Sequence, residues 1–210
     1  MNSSYLIGIA GGSGSGKTTF LRSLMAHYST DQVALVSQDN YYKPKEQQEK
    51  DENGWVNFDL PGSIDRDHFL QDVMQLRRGA SIEKLEYNFN NPEWEPKHIT
   101  VHSAPIILVE GLFVFHFEEI MELLDYKVFL NAPHEERLSR RIRRDLLERG
   151  YPEEEVLYQW HNHVRPAEEK YLYPYLEHCD LEIDNVHAPE VGVEILLQKV
   201  KLHFEPGHTE

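Results

Sequence analysis

Apolar residues fall in short runs at Tyr5–Ala10, Val33–Ser37, Ile106–Glu110, Tyr126–Asn131 and Leu181–Ile183, and each run predicts a strand. All but the last are followed, sooner or later, by a helix-like stretch, and that alternation implies a parallel sheet. Four of the runs are apolar at successive positions, as expected of strands covered by helices on both faces, so the fold class is three-layer α/β. Helices are expected over Asp65–Arg78, from Pro133 through Arg149, from Glu153 to about Glu169 with a kink or interruption at Pro166, and from about Pro189 to His203. Pro133 at the start, Glu135 and Glu136 in the first turn and Gly150 at the end frame the second of these. Between Asn40 and Thr100 the rhythm breaks, with Pro44, Gly54, Pro61, Gly62, Pro92 and Pro96 around one helical stretch. Long irregular segments in a compact domain are commonly functional loops, and Tyr41, Tyr42, Trp55, Phe58, Tyr87, Phe89 and Trp94 argue against disorder. Residues 40–104 are therefore expected to be an inserted substrate-binding region within a single domain spanning 1–210.

Composition narrows the partner. The 210 residues carry a formal charge of −15, which disfavours a nucleic-acid surface, since phosphate backbones select clustered Lys and Arg. A small-molecule partner is expected instead. Cys179 is the only cysteine, so no internal disulfide can form and a reducing compartment fits. The sequence has neither a basic leader followed by an apolar region nor an apolar stretch approaching about 18 residues, so a cytoplasmic chain without a membrane partner is expected.

Directly after the first strand, Gly11-Gly12-Ser13-Gly14-Ser15-Gly16-Lys17-Thr18 fits the pattern G-x-x-x-x-G-K-[ST]. Its glycines let backbone N–H groups converge on phosphate oxygens, Lys17 adds positive charge, and the Thr18 hydroxyl is placed to hold magnesium at the start of the next helix. A nucleoside triphosphate is the expected ligand, on a fold of the P-loop nucleoside triphosphate hydrolase type.

Phosphoryl transfer asks the protein to hold phosphates, hold magnesium and deprotonate an acceptor. Glu110 ends a buried-type strand at its carboxyl end, where open α/β sheets gather ligands, and is the best second magnesium group; the plain alternative is a surface glutamate. Asp39 emerges at the same edge and can serve as general base, the plain alternative being a turn-forming Asx residue. Arg137, Arg141 and Arg144 recur at i, i+4, i+7 on the predicted helix and can meet phosphate charge on one face. The plain alternative, a solvated face paired with glutamates, weighs most at Arg137, Arg140 and Arg143. Residues 133–165 are expected to form an arginine-bearing lid and the helix after it.

The segments Gly11–Thr19, Ser37-Gln38-Asp39-Asn40-Tyr41-Tyr42, Asn57-Phe58-Asp59, Tyr87-Asn88-Phe89, Glu110-Gly111-Leu112, and Arg137 to Asp145 continuing through Glu148-Arg149-Gly150 resemble the uridine kinase (uridine–cytidine kinase) family. The likeness runs from Tyr5 to about Ile183. It implies ATP- or GTP-dependent phosphorylation of a nucleoside 5′-hydroxyl with magnesium. By the same resemblance Asp39 is the catalytic base, Tyr42 and Phe58 line the nucleoside pocket and Asp59 binds the ribose hydroxyls. Tyr87 and Phe89 form the aromatic base pocket, Lys17, Arg141 and Arg144 act at the phosphates, and Arg149 and Gln159 are substrate-side groups. Thr19 belongs with the nucleotide-binding loop, and a homo-oligomer is implied by family analogy.

Three departures bear on the acceptor. Pro92 stands where the family usually has a histidine reading the pyrimidine edge; Tyr151 stands where a basic residue often follows Arg-Gly, and Leu60-Pro61 replaces His-Pro. Two other readings follow: a kinase of another hydroxyl acceptor, phosphoribulokinase- or pantothenate-kinase-like, or a nucleotide-dependent switch. The sequence contains no Asn-Lys-x-Asp, which a guanine-reading switch wants. His161-Asn162-His163 reads as part of a surface helix rather than a metal pair, and Cys179 as a buried structural thiol.

Overall fold

The computed structural model describes residues 4–88, 95–186 and 189–204. In chain order the elements are β1 (Tyr5–Ala10), α1 (Lys17–Met25), β2 (Val33–Ser37), α2 (Arg66–Arg77), β3 (Ile82–Leu85), β4 (His98–Val101) and β5 (Ile106–Glu110). They continue as α3 (Glu118–Met121), β6 (Tyr126–Asn131), α4 (His134–Glu148), α5 (Glu153–Gln159), α6 (Arg165–Tyr171), β7 (Leu181–Asp184) and α7 (Pro189–Phe204). The five expected strands form one parallel sheet in the order β2-β5-β1-β6-β7. Successive apolar residues feed both faces: Leu6 and Ala10 of β1, with Ile107 and Val109 of β5, join one core, while Ile7, Ile9, Ile106 and Leu108 join the other. This two-sided burial is why those strands read as continuous rather than alternating apolar runs.

Two features correct the sequence reading. The first is an antiparallel hairpin of β3 and β4, pairing Ile82 with Val101 and Leu85 with His98, inside the region where only a helix was expected. Its inward positions are Ile82 and Lys84, so a lysine occupies a core place and hides the strand's alternation. Lys84 is accommodated because Nζ sits 3.4 Å from Asp72 Oδ2 and 3.2 Å from the centroid of the Tyr41 ring, whose hydroxyl donates to Asp72 at 2.7 Å. The second is the break in the helix over 153–169, which is a π turn at Trp160–Val164 one turn ahead of Pro166. Proline cannot donate to the carbonyl four residues back and crowds it, and the chain widens instead, with Arg165 N–H reaching the Trp160 carbonyl.

Candidate active site

The phosphate loop joins β1 to α1. Gly14 has φ +77° and faces the Arg137 backbone so closely that a Cβ there would overlap it, so both the left-handed conformation and the space demand glycine. Lys17 Nζ donates to the carbonyls of Gly11 and Gly12 at 2.8 and 3.4 Å. Thr18 and Thr19 are exposed in the first turn of α1, whereas Gly11, Gly12 and Ser15 are buried in the loop's inner turn.

The next two carboxylates come to the same sheet edge. Ser37 and Glu110 are register partners across β2 and β5, and the Ser37 hydroxyl donates to the Glu110 carboxylate. Glu110 is buried, contrary to a surface strand end. Burial, and then the charge of Asp39, push its pKa up to about 7 against the opposing pull of Lys17 and the Ser37 hydrogen bond. Asp39 itself is exposed in a 3₁₀ turn over Gln38–Tyr41, and its amide donates to the capping Ser37 Oγ at 3.3 Å. Gln38 holds this turn in place by accepting the Phe113 N–H at 2.9 Å.

Acceptor-side groups gather opposite. Asp59 is buried 3.9 Å from Arg141; burial raises its pKa while Arg141 and His163 oppose the shift. Tyr42 packs against Phe58 and Tyr87 at centroid distances of 5.9 and 5.3 Å. Phe89 and Pro92 lie outside the described residues. Arg141 donates to Ser13 Oγ at 3.1 Å and to Gln159 Oε1 at 2.9 Å, linking α4 to both the loop and α5.

A cleft of about 890 Å³ is lined by Lys17, Asp39, Asp59, Glu110, Arg141 and Arg144. Tyr42, Phe58, Tyr87, Arg149 and Gln159 border the same cleft, as does Tyr151. Among the described residues no group of three or more acidic, His or Cys side chains could hold a metal. One buried carboxylate in the field of a second, on a cleft that Thr18 also lines, instead fits a magnesium ion that takes its remaining ligands from phosphate and water.

Three features escaped the sequence. Asp145, 1% exposed, draws in Arg141 at 3.2 Å, Arg144 at 2.8 Å and Arg149 at 3.4 Å. Three guanidinium groups on one carboxylate leave surplus positive charge at the cleft, and its acid was legible only as the i+4 partner of Arg141. Arg137 is not solvated but 3% exposed, paired with the fully buried Glu168 at 2.5 Å, and Glu168 also accepts the Ser13 amide at 3.1 Å. His163 is buried rather than on a helix surface, while His161 is exposed, since residues two apart on a helix point to different sides. Cys179 is half-buried, with its thiol pushed up to about 11 by burial and nearby acids, which disfavours the nucleophilic thiolate.

A glycine-rich loop, a strand-end glutamate and an acid after the second strand, all on one edge of a parallel sheet, define a P-loop kinase. The model of the Phosphoribulokinase / Uridine kinase family matches residues 6–192, and the chain belongs to that family. It is 34% identical over 95% of its length to a uridine kinase of Brevibacillus brevis, of which it covers 94%. A uridine kinase of Staphylococcus epidermidis is 33% identical over 96% of the chain and 97% of the relative. In fold it is similar to a solved structure described as a possible uridine kinase from Bacillus stearothermophilus, with TM-score 0.63, 18% identity and coverage of 88% and 90% of the two chains.

Proposed function

We propose that the protein transfers the terminal phosphoryl group of ATP or GTP to the 5′-hydroxyl of a nucleoside, uridine or cytidine, with magnesium. The observation that carries this reading is the meeting of two acids, Asp39 and Asp59, with the phosphate loop and the lid arginines in one cleft. A hydrolytic switch has no use for the second, buried acid.

Residues Gly11–Thr19 hold the triphosphate through backbone N–H groups and Lys17. Thr18 and Glu110 hold magnesium, which neutralises phosphate charge when bound. Asp59 holds the ribose hydroxyls; Tyr42, Phe58 and Tyr87 enclose the nucleoside, and the family resemblance adds Phe89 to that pocket. Asp39 takes the 5′-hydroxyl proton as the new O–P bond forms and the bond to the leaving diphosphate breaks. Arg141 and Arg144, on the lid of residues 133–165, meet the charge of the transferring group, and Arg149 and Gln159 complete the substrate side. Residues 40–104 are the acceptor-binding insertion of a single kinase domain spanning 1–210. Family analogy supports a cytoplasmic homo-oligomer, and among the described residues no helix is long and apolar enough to cross a membrane.

The test is acceptor-dependent ADP production across a panel of nucleosides and small polyols. Uridine and cytidine are expected to give the highest kcat/KM. Preference for a polyol or pantothenate-like alcohol would transfer the reading to another acceptor, an outcome that Tyr151 on the cleft wall makes worth including.

A further inference from the structure

The π turn brings one side chain to the cleft that the mechanism above does not use. His161 and Asn162 face outward, but His163 is 2% exposed and its ring lines the cleft together with Asp59 and Gln159. π turns are rare and occur frequently at functional sites.

His163 is held from behind. Its Nε2 donates to Asp51 Oδ2 at 2.8 Å, and the Tyr158 hydroxyl donates to the same oxygen at 2.6 Å. Asp51 Oδ1 accepts the amides of Asn53 and Trp55, both at 2.9 Å. The turn carrying these residues is fastened to α5 by the Asn53 side chain, which donates to the Tyr158 hydroxyl at 2.7 Å, and by Trp55, whose ring lies 5.4 Å from that of Tyr158. Burial acts to raise the pKa of Asp51, but the hydrogen bonds from Tyr158, His163 and the two amides outweigh it and hold the carboxyl well below the usual carboxylate range. A carboxylate can only accept, so Nε2 carries a hydrogen. The other ring nitrogen, Nδ1, has no hydrogen-bond partner among the described residues.

We infer that His163 is a specificity-determining residue at the acceptor end of the cleft: fixed by Asp51 through Nε2, it offers Nδ1 to one of the ribose hydroxyls that Asp59 also meets. The inference rests on the nucleoside reading above and adds His163 to the groups that read the ribose. An acceptor that lacks the matching hydroxyl leaves a buried polar atom unpaired, which is how such sites discriminate strongly.

The test compares uridine, 2′-deoxyuridine and 3′-deoxyuridine in the unmodified protein and in His163→Gln, with Asp51→Asn as a second variant. Glutamine keeps an N–H for Asp51 and removes Nδ1. The unmodified protein is expected to lose about tenfold or more in kcat/KM on one of the two deoxynucleosides. His163→Gln should lose about tenfold on uridine, mainly through KM, keep its KM for ATP, and no longer separate uridine from that deoxynucleoside. Asp51→Asn should narrow the same ratio, and it decides the matter if thermal unfolding shows that His163→Gln does not fold. Equal losses on all three acceptors, or a parallel rise in the KM for ATP, would mean that His163 only latches the turn, and would overturn the inference. Full retention of discrimination in both variants would overturn it as well. An unmodified protein that uses no nucleoside overturns the nucleoside reading itself, and this inference with it.

Discussion

At the scale of single residues, two carboxylates at the cleft have very different surroundings. Asp39 is exposed at the cleft and free to approach an acceptor, whereas Glu110 is buried beneath it. Asp39→Asn is expected to lower kcat by about 10²–10⁴-fold with little change in nucleotide affinity; near-normal turnover would remove Asp39 as the base. Glu110 makes a prediction about pH. Its pKa is raised by burial and by Asp39 to about 7 in the folded protein, so the folded state keeps a proton that the unfolded chain releases near its ordinary value of 4.5. The stability it contributes is therefore fully present below the unfolded value and is lost as pH rises through about 7, an effect on the order of 2–3 kcal/mol. Urea unfolding from pH 4.5 to 7.5 without added metal should show this decline, and Glu110→Gln should flatten it. Added magnesium should restore stability to the unmodified protein at the upper end of that range.

At the scale of elements, much was legible because strand and helix signals were strong. The five parallel strands match their apolar runs almost residue for residue, and the phosphate loop was readable because its chemistry fixes residue types at fixed spacing. What stayed hidden depended on tertiary partners. The β3 strand was masked by Lys84, whose burial is intelligible only once Asp72 and Tyr41 surround it. Arg137 belonged on sequence to an arginine face, but Glu168, supplied from α6, takes it into the interior. That ion pair ties α4 and α6 to the Ser13 amide of the phosphate loop. Removing one member leaves the other charged and buried, so Glu168→Ala is expected to cost about 3–5 kcal/mol, while replacing both residues by apolar ones of similar volume should cost much less. Thermal unfolding of the single and double variants checks this, and equal losses would show that the pair is not acting as a unit.

Across the whole molecule, the chain is acidic yet concentrates arginines on one cleft. The net charge of −15 keeps polyanions off the general surface, while Arg140, Arg141, Arg144 and Arg149 all line the cleft at the carboxyl edge of the sheet. The parallel topology brings the loop after β1, the turn after β2 and the end of β5 to one place. The central claim is that this meeting passes phosphate to a nucleoside hydroxyl rather than to water. The most direct measurement is phosphorus NMR of the protein with ATP, magnesium and uridine. The account predicts a new signal from uridine 5′-monophosphate growing in step with ADP; ADP accompanied only by inorganic phosphate, at a rate unchanged by uridine, would contradict it.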